Sequence, residues 1–193
     1  MTSEERQLIE EAKNGSEGSF EALILSCKKK AWNIAFQYMR NENDAMDALQ
    51  ESFIKIYRNL NNFKGDSRFD TWVHRITVNT CKDMLRKNEK YKLNDSLYTA
   101  GEDGDYLREF PDVDPGPEET VVMSELAAEL LCCVDMLPPD HRDVIILRDI
   151  RNLSYEEISV ILDASLGTVK SRINRARGNL RRVWLEQKAE NGV

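Results

Sequence analysis

Apolar residues recur along this chain at helical spacing, and nowhere do they alternate as in a half-buried strand. Thr2 and Glu5 have the spacing of a capping box, ahead of a short helix expected to end at Asn14-Gly15. Ser19 is expected to cap a second helix from Phe20 to about Met39. A third is expected after Asn43, its apolar positions Leu49, Phe53, Ile56 and Leu60 stepping by four, three and four. Phe63-Lys64-Gly65-Asp66 interrupts it. Ser67 then stands where it can cap a fourth helix, with Phe69, Trp72, Val73, Ile76 and Thr80 on one stripe, running to about Asn88. Periodicity returns from about Thr120 to Met136, with Val122, Leu126, Leu130 and Val134 on one face. Leu137-Pro138-Pro139 stops that helix, and Asp140 can cap the next. Ser154-Tyr155-Glu156-Glu157 is a capping box for a short helix ending near Leu162. Asp163-Ala164-Ser165 is a tight turn, and Ser165 opens a long helix with Leu166, Val169, Ile173, Ala176, Leu180 and Val183 inward. The pattern predicts an all-α chain.

Between the periodic stretches, residues about 93 to 119 are turn-rich, acidic and aperiodic, which reads as a linker. The expected organisation is two small helical domains, residues 1–92 and 120–193, joined by a flexible acidic linker at 93–119. The charge follows this division. The net charge of −7 is an average that misleads. From Asn94 to Glu125 there are ten acids and one base, a local −9, which leaves +2 for the rest. From Leu166 to Leu185 there are six bases and no acid. Local potential matters more to a polyanion than net charge.

That basic stretch is the second helix of a helix–turn–helix pattern. Its apolar stripe leaves Thr168, Lys170, Ser171, Arg172, Asn174, Arg175 and Arg177 off the core. Those near the helix start can reach major-groove edges, where Arg and Lys suit guanine. Arg177, Arg181 and Arg182, further along, suit phosphates. The first half holds a second candidate. Phe63, Phe69, Trp72 and Tyr91 are interleaved with Lys64, Arg68, Arg75, Lys82, Arg86, Lys87, Lys90 and Lys92. Aromatics among cations suit unstacked single-stranded bases, although the helical spacing of Phe69 and Trp72 equally suits a core.

Other chemistry is thin. Cys27, Cys81, Cys132 and Cys133 form no C-x-x-C pair and read as reduced, mostly packed thiols, while His74 and His141 are isolated. No metal site, cofactor or catalytic set is expected. No run of about 18 apolar residues suggests a membrane span. The first residues, Met1 to Arg6, lack a secretory pattern, so the expected location is cytoplasmic.

Four segments carry a resemblance. Asp44-Ala45-Met46-Asp47-Ala48-Leu49-Gln50-Glu51-Ser52-Phe53-Ile54-Lys55-Ile56-Tyr57 is similar to the D-A-E-D-x-x-Q-E-x-F-x-x-x-Y helix of bacterial sigma factors, with Met46 where an acid is common. Residues Phe63 to Asn79 resemble the F-x-G-x-S-x-F-x-T-W-L-x-R-I-A-x-N segment that follows. Leu153 to Ile158 and Gly167 to Arg177 resemble L-S-Y-E-E-I and G-T-V-K-S-R-L-x-R-A-R of the same family. The segments occur in family order and leave room only for the second and fourth conserved regions, so the chain resembles the extracytoplasmic-function group.

The resemblance implies a promoter-specificity subunit of RNA polymerase. Asp44, Asp47, Gln50 and Glu51 would meet the clamp helices of the largest core subunit. Phe63, Lys64, Gly65, Asp66, Ser67, Arg68, Trp72, Arg75 and Asn79 would recognise the minus-ten element, with one flipped base held by the Phe63–Arg68 loop. Thr168, Lys170, Ser171, Arg172, Asn174, Arg175 and Arg177 would read the minus-thirty-five element as duplex. Implied partners are core polymerase, through clamp helices and flap, promoter DNA, and a membrane-bound or soluble anti-sigma factor in a stress or envelope response. An ordinary helix–turn–helix regulator with a ligand-sensing first half, and an enzyme, are the rival classes.

Overall fold

The computed structural model describes residues 2–95 and 125–190, with side chains at 2–88 and 127–190. The described residues form eight α-helices and no strand. Most of the expected linker, 96–119, and the start of the helix expected from Thr120 lie outside the described residues, as do the side chains of Lys90, Tyr91 and Lys92.

Helix α1, Ser3–Lys13, is capped by Thr2, whose Oγ1 accepts the Glu5 N–H at 3.1 Å. It ends at Asn14-Gly15, with Gly15 at φ 95°, a conformation that favours glycine. Helix α2, Glu17–Met39, starts earlier than the pattern suggests: Ser16 is its cap, and Ser19 donates its N–H to Ser16 Oγ. The residue that caps its C-terminus, Arg40, is left-handed, φ 61°, with no glycine to relieve it. Helix α3, Glu42–Asn59, is capped by Asn41 and so starts ahead of the expected point after Asn43. A 3₁₀ turn, Leu60–Asn62, leads into the interrupting loop. Helix α4, Phe69–Asp95, outruns the expected end at Asn88. Ser67 does not cap it. Its Oγ donates to the Arg68 carbonyl, and the Asp70 carboxylate takes the Thr71 N–H at 2.8 Å.

Helix α5 is Glu125–Asp135 and α6 is Pro139–Ile145. The α6 cap position is Pro138, and Asp140 instead lies in the first turn, where a carboxylate suits the helix dipole. A π-helical turn, Ile146–Ile150, absorbs one extra residue before left-handed Asn152. Helix α7, Tyr155–Leu162, carries the full reciprocal capping box between Ser154 and Glu157. Left-handed Asp163, φ 51°, ends it, and Ser165 Oγ takes the Thr168 N–H to open α8, Leu166–Glu190. A capped short helix, a three-residue turn and a long second helix form the expected helix–turn–helix.

One core gathers Ile9, Leu23, Ala31, Leu49, Ile56, Phe63, Phe69 and Val73 from α1 to α4. The other crosses between the domains: Ile34, Tyr38, Met39, Val78 and Cys81 pack in one cluster with Val134, Leu137, Val144, Ile146, Ile158 and Ile173. Helix α4 therefore rests on α2 and α3 with one face and on α7 with another.

Candidate functional site

The polar face of α3 follows from its apolar one. Ala45, Ala48, Leu49, Ser52 and Ile56 are buried, which turns Asp47, Gln50 and Glu51 outward. Asp44 is different. It is half-buried and holds its own helix start, its N–H donating to Asn41 Oδ1 at 2.8 Å and its carboxylate taking the Asn41 amide. The exposed stripe continues into apolar residues absent from the expected set. Ile54 is 45% exposed and Tyr57 57%, with Leu25 of α2 at 61%. Phe20 meets Tyr57 edge-on, ring centres 5.0 Å apart. The sequence held the signal: Ile54 and Tyr57 are apolar residues off the α3 core stripe.

The Phe63–Arg68 loop divides into an anchor and a rim. Phe63 is only 4% exposed and packs on Phe69 and Trp72, centres 5.6 and 5.1 Å away, so its ring is core and not a surface for a base to stack on. Lys64, Gly65, Asp66 and Arg68 are exposed and Ser67 half-buried. Gly65 is left-handed, φ 81°, which lets the loop reverse. Asp70 sits beneath the rim. Burial pushes its carboxyl up, but the Lys30 ammonium at 3.2 Å and the Arg68 guanidinium at 3.3 Å outweigh that and hold it below the usual carboxylate range.

The concavity lies beside the loop, not within it. A groove of about 370 Å³ runs between the end of α3 and the outer edge of α4, lined by Asn59, Asn62, Trp72, Ile76, Asn79 and Asp83 among others. Lys55 at its wall donates to Thr80 Oγ1 at 3.3 Å. Asn79 is exposed, while Trp72 and Arg75 are half-buried. The structure thus joins Trp72 and Asn79 in one groove that none of the loop residues Phe63–Arg68 lines. Lys82 leaves the candidate cationic set, because its ammonium is committed to Asp143 at 2.6 Å.

Helix α8 buries Val169, Ile173, Ala176 and Val183, one stripe. Lys170, Asn174, Arg175, Arg177, Arg181 and Arg182 are exposed, and Thr168, Ser171 and Arg172 half-buried. Arg172 is drawn aside by Asp140 at 3.2 Å. Arg177 is held by both oxygens of Asp149 on the π-turn, and that bonding raises its already high pKa. Arg175 reaches back to Ser171 Oγ at 3.3 Å.

The remaining titratable groups are packed. Burial pushes the Cys27 and Cys81 thiols up to about 12, while Cys132 is exposed. Burial pushes the His74 imidazole down to about 4, against the upward pull of Asp70, and its Nε2 has no partner. Among the described residues, no three His, Cys, Asp or Glu gather as metal ligands, and no helix is long and apolar enough to cross a membrane.

A paired-domain helical chain with a helix–turn–helix, whose second helix carries six bases and no acid from Leu166 to Leu185, is a DNA-binding class. Comparison with known proteins narrows it. Residues 23–91 match the family described as Sigma-70 region 2, and residues 127–180 match Sigma-70, region 4. The chain is 36% identical over 177 residues to the RNA polymerase sigma-H factor of Pseudomonas aeruginosa, covering 90% of each. It is 38% identical over 174 residues to the ECF RNA polymerase sigma-E factor of Haemophilus influenzae, covering 90% of this chain and 91% of the relative. This chain belongs to the sigma-70 family of RNA polymerase sigma factors, in its ECF group. The fold is similar to that of CnrH in complex with the cytosolic domain of CnrY, TM-score 0.64 at 23% identity, over 94% of this chain and 97% of that one. It is also similar to the sigma factor RpoE in complex with the anti-sigma factor NepR from Bartonella quintana, TM-score 0.62 at 21% identity, over 85% and 95%.

Proposed function

We propose that the first domain binds core RNA polymerase and reads the minus-ten element as opened strand, and that the second reads the minus-thirty-five element as duplex. The observation that carries this is the pairing of two unlike surfaces in one sigma-family chain. One is a polar-aromatic groove on α4; the other is the cationic face of α8 between Leu166 and Leu185. A flipped base needs a concavity with a π-face and hydrogen-bonding edges, which Trp72 and Asn79 offer together. A major groove needs a protruding helix, which α8 supplies with Lys170, Asn174 and Arg175 foremost. The loop rim, Lys64 to Arg68, contacts the strand next to the groove, with Arg75 beside it, and Phe63 serves by anchoring the loop. Thr168, Ser171 and Arg172 flank the reading face, and Arg177 contacts phosphate after exchanging Asp149 for it.

Clamp helices meet the stripe Asp47, Gln50, Glu51, Ile54 and Tyr57, extended by Leu25, while Asp44 acts by fixing the start of α3. The polymerase flap meets the second domain, where Leu130, Met136 and Leu185 are exposed apolar residues. An anti-sigma factor, such as accompanies the structurally similar RpoE, is the expected regulator. The chain acts by binding and not by catalysis, inside the cell.

The test is transcription by core polymerase plus this chain from a promoter library with both elements randomised. Asn79→Ala is expected to move minus-ten preference alone, and Arg175→Ala minus-thirty-five preference alone. Both preferences surviving both substitutions would remove the assignment of groove and helix.

A further inference from the structure

Three charged groups from three places meet at the start of α4. Lys30 comes from the middle of α2, Arg68 from the end of the interrupting loop, and Asp70 from the first turn of α4 itself. The Lys30 ammonium donates to Asp70 Oδ2 at 3.2 Å. Arg68 reaches the same carboxylate with two nitrogens, its Nη2 3.4 Å from Oδ2 and its Nε 3.3 Å from Oδ1. The carboxylate is itself held, because Oδ1 also takes the Thr71 N–H at 2.8 Å. Its side chain is 17% exposed, whereas those of Lys30 and Arg68 are 61% and 64% exposed. A fixed, half-buried anion thus tethers two long cations and leaves their outer sides to solvent.

Stability is a weak reason for such a cluster, since ion pairs with exposed partners add little to a fold. Binding is a better one. Two cations and one anion leave a net positive charge, and exposed Lys64 adds to it from the same loop. An ammonium has three N–H donors and a guanidinium five, of which Asp70 engages at most one and two. The rest can serve an anion without releasing the carboxylate. A side chain already tethered also loses less freedom when it binds. Paired cationic donors fit a phosphodiester, whose two unesterified oxygens accept side by side.

The place suits the opened strand. Asp70 and Trp72, two positions apart, face roughly opposite sides of a helix of about 3.6 residues per turn. Trp72 lines the groove toward α3, Asp70 turns toward α2, and the loop rim leads into the helix start between them. A strand whose base enters the groove and whose backbone crosses the rim therefore arrives at Lys30. The crossing is the width of a helix, about 10–12 Å, or roughly three nucleotides of stacked strand.

We infer that Lys30 is a further strand-binding residue, that with Arg68 it grips one backbone phosphate within about three nucleotides of the flipped base, and that Asp70 is the positioning residue that holds both cations for it. The inference rests on the minus-ten reading above, and the two can fail separately. The measurement uses core polymerase with the full chain, bound to a DNA bubble that carries the promoter recovered from the randomised library. One uncharged methylphosphonate linkage is moved along the non-template strand, a linkage at a time. Lys30→Gln should bind the fully charged bubble about threefold more weakly at low salt and lower the salt slope by about 0.7. At one linkage beyond the loop, and only there, the neutral bubble should abolish the difference between variant and wild type. Lys30→Arg should restore wild-type binding. Asp70→Asn keeps an acceptor for the Thr71 N–H, so α4 should start as before. In that background the effect of Lys30→Gln should spread over neighbouring linkages, and an effect still confined to one linkage overturns the positioning role. A Lys30→Gln loss that is equal at every linkage overturns the phosphate grip. So does weaker assembly of Lys30→Gln with core polymerase in the absence of DNA, which would make Lys30 a protein contact. If linkages matter to the wild type but Lys30→Gln binds like it, the grip alone falls; if no linkage matters to the wild type, the minus-ten reading falls and takes the grip with it.

Discussion

Helices α4 and α8 are nearly equal in length, 27 and 25 residues, yet they meet their surroundings differently. Helix α4 is packed on two sides and buries Phe69, Thr71, Val73, His74, Thr77, Val78, Thr80 and Cys81, which leaves a narrow edge where Trp72, Ile76, Asn79 and Asp83 share a groove. Helix α8 buries four residues along one stripe and leaves most of its circumference to solvent. On the proposed reading, the degree of burial sets the kind of ligand. A helix wedged among others offers a crevice, suited to a single base; a helix packed on one side offers a ridge, suited to a groove of duplex. The same packing gives buried Thr77 a partner within its own helix, its Oγ1 donating to the Val73 carbonyl at 3.0 Å.

The strongest way to break the comparison is to excavate α4. Phe69→Ala should cost about 3–5 kcal/mol, read as a drop in urea midpoint, because three aromatic rings lose a shared contact. A loss under 1 kcal/mol would mean that α4 is not the wedge described. Acid should also act through α4. His74 stays neutral in the fold down to about pH 4, whereas the unfolded chain takes up that proton near 6.5. Between those values the unfolded state binds more protons, so stability falls as pH falls and levels off below about 4. The window is worth about 3 kcal/mol. His74→Leu should flatten that part of the urea-midpoint profile, and an unaltered slope would place the titration elsewhere.

On α8 the effects should be smaller and should separate by position. Arg175→Ala is expected to cost roughly 1–3 kcal/mol at one base pair of the minus-thirty-five element, whereas Arg181→Ala should weaken all sequences alike and lower the salt slope by about 1. Uniform loss in both would make Arg175 a phosphate ligand. Smallest of all, Asp149→Asn should free Arg177 and tighten duplex binding by less than about 1 kcal/mol. Weaker binding would mean that Asp149 orients Arg177 for DNA instead of competing with it.

Local chemistry made much of this legible in advance. The reciprocal bonds of Ser154 and Glu157, left-handed Asp163 and the Ser165 cap reproduce the helix–turn–helix expectation because each involves residues within a few positions of one another. Where several capping residues compete, sequence could not choose among them: Ser16 won over Ser19, and Pro138 took the position assigned to Asp140. The groove was hidden because Asn59 and Asn62 reach it from the end of α3, about 20 positions before Asn79 and Asp83. Lys82 read as a cation for DNA because its partner, Asp143, is 61 positions away. Phe63 stood in an aromatic motif at the edge of an interrupting loop, with no periodicity to mark it as core, and only its burial shows that it is.

Left-handed Arg40 has an evolutionary consequence. A glycine there would relieve the φ of 61°, and such relief typically stabilises the local turn by a few tenths to 1 kcal/mol. It would also delete the guanidinium that reaches Asp135 from the other domain. Selection for the ruggedness of the first domain alone would therefore favour glycine, and selection for communication between the halves favours arginine. A relative carrying glycine at this position should be the hardier protein in its first domain and the one whose two halves move more independently.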